Sequence, residues 1–166
     1  MSLSQDNLVD TIPTLYEEFD LSFELYIHKG QGISRRNVLR LTNTNDEKGN
    51  IGDRIVVFEV YGDLSKSILL SDSTKPKSLI LNEAVPSQKW IPIRIQQAVI
   101  EGKFQLMFWV DGESAGGLMM DTPQVFNNTR VLLGDSYTTA LYGTIKNLTI
   151  STGNLLNFFI FTDFAL

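Results

Sequence analysis

The chain has 166 residues, 43% of them hydrophobic, and a formal net charge of −5. That length and apolar content suit one domain, residues 1–166, with a sizeable core. The acidity, a pI of ≈ 4.8, gives no basic stripe for nucleic acid or an anionic membrane surface. No apolar run approaches the ~20 residues that span a bilayer, and the lack of cysteine excludes disulfides and thiolate chemistry.

Taken in order, residues 4–12 place Leu8 and Ile12 one helical turn apart, stopped by Pro13. Leu15 to Ile27 then alternates: Phe19, Leu21, Phe23, Leu25 and Ile27 against Glu18, Asp20, Ser22, Glu24 and Tyr26. Side chains on a strand switch faces at every residue, so this predicts one long strand, wet on one side. His28 to Gly32 is a turn, and Val38 to Thr42 a short strand. Asn43 to Gly52 is a polar loop. Ile55 to Tyr61 is apolar on both faces, which predicts a central strand, followed by strands at 67–71 and 78–81.

Residues 87–112 form the middle of the predicted fold. Ile91, Ile93 and Ile95 alternate with Pro92, Arg94 and Gln96. After Glu101-Gly102, Phe104, Leu106, Phe108 and Val110 alternate with Gln105, Met107, Trp109 and Asp111. Two such arms around a turn predict an antiparallel pair. Large aromatics on both faces of the second arm favour the core for Trp109; on the exposed face it is instead a ligand plate. Gly116-Gly117 reads as a flexible turn. Strands follow at Thr129–Leu133 and Gly143–Ile150. Short strands with turns every ten or so residues predict a two-sheet β-sandwich with its core over residues 15–152.

The segment 153–166 is rich in apolar residues. It predicts a strand packed on the sandwich, with docking on a second copy or a neighbouring domain through Phe158–Leu166 as the other reading. The first residues lack the basic start and apolar stretch of a signal peptide. Asn127 and Asn147 both begin Asn-x-Thr triplets, which are acceptors for glycosylation in a secreted chain. The chain is then either cytosolic or a piece of a secreted precursor, and the two triplets tilt the expectation to an extracellular or secreted setting, with the chain as part of a larger precursor.

The later strands resemble the concanavalin A-like lectin/glucanase superfamily, and within it the laminin-G-like domains. The resemblance rests on Trp90 followed by Ile93 and Ile95, on Phe104-x-Leu106 running to Val110-Asp111-Gly112, on Val131-x-Leu133-Gly134, and on Gly143-x-Ile145-x-Asn147-Leu148-x-Ile150. It implies an all-β fold, a jelly roll of two curved antiparallel sheets. It also implies loops that often bind calcium. The oxygen-rich candidates for that ion are Asn43, Asn45, Asp46 and Asp53, although Lys48 stands where an EF-hand would have glycine.

Enzymes of this fold cleave glycans, and Glu18, Asp20 and Glu24 share one strand face. A retaining glycosidase needs two carboxyls about 5–5.5 Å apart. Six residues of strand separate Glu18 from Glu24 by ~20 Å, so a solvated polar face is the preferred reading. His28, the single histidine, sits in a turn with no nucleophile motif beside it. The expectation is therefore a non-catalytic recognition or adhesion module for a glycan or protein ligand. Trp109 and Asp111 are its ligand-binding candidates. A glycosidase, or a structural domain self-assembling through the C-terminal segment, is the competing reading.

Overall fold

The computed structural model describes residues 7–30, 32–43, 54–71, 77–121, 124–134, 139–153 and 157–161. Alternating patterns become strands throughout. In chain order these are β1 (Asn7–Leu15), β2 (Phe19–Ile27), β3 (Arg35–Thr42), β4 (Arg54–Tyr61), β5 (Ser67–Ser71) and β6 (Lys77–Leu81). They continue with β7 (Trp90–Ile100), β8 (Lys103–Val110), β9 (Glu113–Met119), β10 (Phe126–Leu133), β11 (Gly143–Thr152) and β12 (Asn157–Phe161). Among the described residues there is no helix long and apolar enough to cross a membrane.

The strands make two six-stranded sheets. The back sheet runs β1-β10-β3-β4-β5-β6 and the front sheet β12-β11-β2-β7-β8-β9. All pairings between these strands are antiparallel. Neighbours such as β1 and β10, or β11 and β2, are far apart in sequence, and this connects the layers as a jelly roll. The two sheets meet through their apolar faces. Phe58 of β4 is fully buried between Phe23 of β2 and Phe108 of β8, with ring centroids 6.2 and 5.2 Å away. Burying one such side chain contributes about 1.5–3 kcal/mol.

The expected hairpin at 90–112 forms, in the middle of the front sheet. Its turn places Glu101 at φ 52° and Gly102 at φ 73°. The next turn repeats this with Asp111 at 55° and Gly112 at 83°. Two consecutive residues with positive φ match the right-handed twist of the flanking strands, and glycine takes the second position at no steric cost. β4 is central with both faces buried, as its unbroken apolar run predicts.

Three expectations are corrected. Residues 7–12 are strand, not helix: Ile12 and Leu15 are buried, Leu8 is exposed, and Pro13 sits in β1 at the edge of its sheet, where a missing N–H need not break a ladder. The segment 15–27 is two strands. β1 ends at Leu15 in the back sheet and β2 begins at Phe19 in the front sheet, with the Tyr16 N–H donating to Thr152 Oγ1 at 2.7 Å at the crossing. Leu15 and Phe19 have the same parity, so alternation does not register the break. Gly116 and Gly117 lie inside β9 rather than in a turn. A Cβ at Gly117 would stand 3.2 Å from the Leu106 carbonyl oxygen, and Gly116 has φ 120° beside a register shift. Glycine here permits a bulged edge strand.

β12 pairs with β11 along Leu148–Thr152 and closes one edge of the front sheet, as the strand reading of the C-terminal segment expects. Residues 162–166 of the candidate docking segment lie outside the described residues. The outer faces of the two sheets differ. On the back sheet, outward-facing Arg40, Val57, Glu59 and Leu132 are all buried. On the front sheet, outward-facing Asp20, Ser22, Glu24, Pro92 and Arg94 are partly or fully exposed. The front sheet therefore offers the open surface.

Candidate functional site

Strand register sorts the outer face of the front sheet into rows. One row is Thr149, Ser22, Arg94 and Trp109, on β11, β2, β7 and β8. The next is Lys146, Glu24 and Pro92, and beyond it Thr144, Tyr26 and Trp90. Around the first two rows lies a hollow of about 500 Å³, lined by Ser22, Glu24, Pro92, Arg94, Trp109 and Asn147.

Arg94 and Trp109 form its floor on one side. Arg94 Nε donates to both carboxylate oxygens of Asp20, at 3.1 and 2.9 Å, and Nη2 also donates to Oδ2. The guanidinium lies 5.0 Å from the centroid of the Trp109 ring. The hydrogen bond to Asp20 raises the pKa of Arg94 further above its ordinary value, against a smaller lowering by burial, so the cation is permanent. Glu24 forms the other side. Its Oε1 accepts from Asn147 Nδ2 at 2.7 Å, and Lys146 Nζ lies 3.3 Å from Oε2. Lys146 in turn stands 4.2 Å over the Trp90 ring, which contacts Tyr26 at 5.4 Å. Ser22 Oγ and Thr149 Oγ1 share a hydrogen bond of 2.7 Å.

Asn147 reaches Glu24 because β11 is bulged there. The register with β2 shifts between Lys146 and Thr149, and Asn147 adopts φ 53°. Asparagine tolerates that conformation better than most residues, and a bulge re-aims the side chain it carries. The sequence signal was available: Ile145 and Leu148 are both buried yet three residues apart, which strict alternation forbids. Arg94 and Lys146 were also missed as site residues. Arg94 has the outward parity of Pro92, but nothing local shows that Trp109 and Asp20 flank it.

The candidate residues from the sequence are dispersed. Trp109 is not core. Leu106 and Phe108 are fully buried, so parity turns Trp109 outward, where it is half-buried beside Arg94. Asp111 is not beside it in the hollow. It sits on the β8–β9 turn, bound by Lys89 at 2.6 Å, and lines a second hollow of about 450 Å³ with residues 82–86 and 113–115. Asn43 is an exposed residue after β3; Asn45, Asp46 and Asp53 lie outside the described residues. Among the described residues no three His, Asp or Glu side chains come together as a metal site would require. Asn127 is exposed on β10, its Oδ1 accepting from Thr14 Oγ1 at 3.4 Å; Asn147, the other sequon asparagine, lines the hollow.

The three carboxylates of the glycosidase reading are engaged separately. Glu18 lies before β2 and accepts from the Val99 N–H at 3.3 Å, Asp20 holds Arg94, and Glu24 holds Asn147 and Lys146. His28 is not simply solvated. It is half-buried, 4.6 Å from the Tyr142 ring and 5.2 Å from Tyr26, with Nε2 3.2 Å from Thr144 Oγ1.

No family model and no curated protein matches the chain. Solved structures do. A pentraxin from Limulus polyphemus superposes with a TM-score of 0.56 at 10% identity, over 87% of this chain and 70% of its own. The CBM40 of a Ruminococcus gnavus sialidase, bound to α2,3-sialyllactose, gives 0.56 at 15% identity over 86% and 87%. Domain 4 of a Geobacillus stearothermophilus arabinanase, in complex with arabinotriose, gives 0.55 at 15% over 90% and 65%. At these identities the likeness is one of fold. The protein has a jelly-roll β-sandwich fold of the concanavalin A-like kind.

Proposed function

We propose that the protein is a non-catalytic glycan-recognition module, with the outer face of the front sheet as its binding surface and the hollow at Trp109 as its centre. One observation carries this reading: an indole, a guanidinium, a carboxylate and a carboxamide converge on a hollow of about 500 Å³ in an open sheet face. Sugars present an apolar ring face and a rim of hydroxyls. An aromatic plate takes the first, and Glu24, Asn147 and Arg94 offer acceptors and donors for the second. Structural neighbours that bind sialyllactose or arabinotriose support the reading. Recognition is favoured over hydrolysis because Asp20 and Glu24 are each held by a cation and, among the described residues, Glu24 is the one carboxylate that lines the hollow.

A glycan array followed by calorimetric titration tests it. Hits are expected, and Trp109→Ala should weaken each of them about tenfold or more, as truncation of a central aromatic anchor does. An empty array, or hits indifferent to Trp109→Ala and Glu24→Gln, would overturn it. The sequon at Asn147 gives a further check. If the chain is made in a glycosylating host and carries a glycan there, that glycan would fill the hollow, so chain made in a host without N-glycosylation should bind and the glycosylated chain should not.

A further inference from the structure

We infer that the ligand is an extended, uncharged oligosaccharide rather than a single terminal sugar, and that Trp90 is a second platform for it on the same face. This rests on the glycan reading above and adds to it the class of ligand and a second subsite.

The face carries two matching assemblies. Asp20 fixes Arg94 beside Trp109, and Glu24 fixes Lys146 over Trp90. In each, a carboxylate from β2 holds a cation against an indole. Ser22 pairs with Arg94 and Tyr26 with Trp90, so the two assemblies lie four residues apart along the same strands. At ~3.4 Å per residue that is about 14 Å, more than one sugar ring can bridge.

Trp90 has no part in the sandwich core, because its neighbour Ile91 points inward and it points out. It is nevertheless held, by contacts with Lys146 and Tyr26, while remaining 37% exposed. Ordering an aromatic in advance lowers the entropy lost on binding. Between the platforms lie Glu24, Asn147 and Pro92, two hydrogen-bonding groups and a flat apolar one. The ionised groups of both assemblies cancel: two carboxylates face one guanidinium and one ammonium. A polyanionic chain gains no net attraction from such a surface, and a neutral one meets no repulsion.

The test uses neutral cello-, xylo- and laminari-oligosaccharides, from disaccharide to hexasaccharide, titrated into the wild-type chain and two variants. Affinity should rise about tenfold or more between the disaccharide and the longest member of the ladder that binds. Trp90→Ala, and Trp90→Leu as a second variant that keeps apolar bulk, should flatten that rise, whereas Trp109→Ala should weaken every length. A wild-type affinity that does not grow with length, or a rise that survives both Trp90 variants, overturns the second platform while the Trp109 site stands. Array hits confined to terminal or charged sugars, with all three ladders silent, also overturn it. An array with no hits removes the parent reading and this inference together.

Discussion

Replacing Arg94 with lysine separates what this residue does for stability from what it does for the site. Its Nε lies 2.9 and 3.1 Å from the two Asp20 oxygens, and its guanidinium 5.0 Å from the Trp109 centroid. The side chains of the ion pair are 48% and 26% exposed. Solvent therefore screens them, and such a pair contributes about 0–1 kcal/mol. The cation–π contact at a site this open adds about 0.5–1 kcal/mol. Lysine keeps the charge and loses the planar two-point fork, so Arg94→Lys should cost at most about 1–2 kcal/mol in urea denaturation. For a chain of this size, each kcal/mol corresponds to about 2–4 °C in Tm. The deficit should shrink at about 1 M salt, where the screening length falls to about 3 Å. Glycan affinity should fall more steeply, by about tenfold, because Trp109 loses the group that holds it. A stability loss above about 3 kcal/mol would show that the pair is embedded in packing, contrary to its exposure. Unchanged affinity for a glycan that Trp109→Ala abolishes would remove Arg94 from the site.

Three further outcomes are expected. Gly143→Ala should lower the stability measured by urea denaturation by about 1–3 kcal/mol, because a Cβ there would stand 2.6 Å from the Tyr26 carbonyl oxygen, which as backbone cannot swing aside; a wild-type midpoint refutes the close approach of β11 to β2. The Asp63 carboxyl is held below its ordinary 3.8, first by the Ser65 hydroxyl at 2.7 Å and then by the Ser65 N–H at 3.0 Å. A depressed carboxylate contributes stability above its unfolded pKa and loses it as pH falls through the folded value. Denaturation of wild type and Asp63→Asn should therefore differ near neutrality and converge in acid, and a difference independent of pH counts against the turn. Deleting residues 157–161 uncovers the β11 edge that β12 covers. Light scattering should then show concentration-dependent association, as bare edge strands give, and a monodisperse deletion variant argues against β12 as an edge cover.

Much of the architecture is legible because strand parity is a local property. The alternation of Phe19 to Ile27 and of Ile91, Ile93 and Ile95 states which side chains are buried, and the two-residue turns at 101–102 and 111–112 set the hairpins. Parity is also what conceals the rest. It runs unbroken from Leu15 to Phe19 across a change of sheet, and Pro13 ends a helix on paper while it only marks an edge strand in space. Trp109 had the parity of an outward residue, but the aromatics on both faces of its strand outweighed that signal in the sequence.

The sequence alone therefore determined the class of fold and the inward or outward sense of the residues of β2 and of most of those in β7 and β8, since both follow from backbone geometry repeated every two residues. Tertiary structure decided the site. Glu24 and Asn147 are 123 positions apart and Asp20 and Arg94 are 74 apart, and they meet only because β11, β2, β7 and β8 lie side by side. That order comes from how two sheets bury one another's apolar faces, a long-range balance that no local stretch of chain encodes.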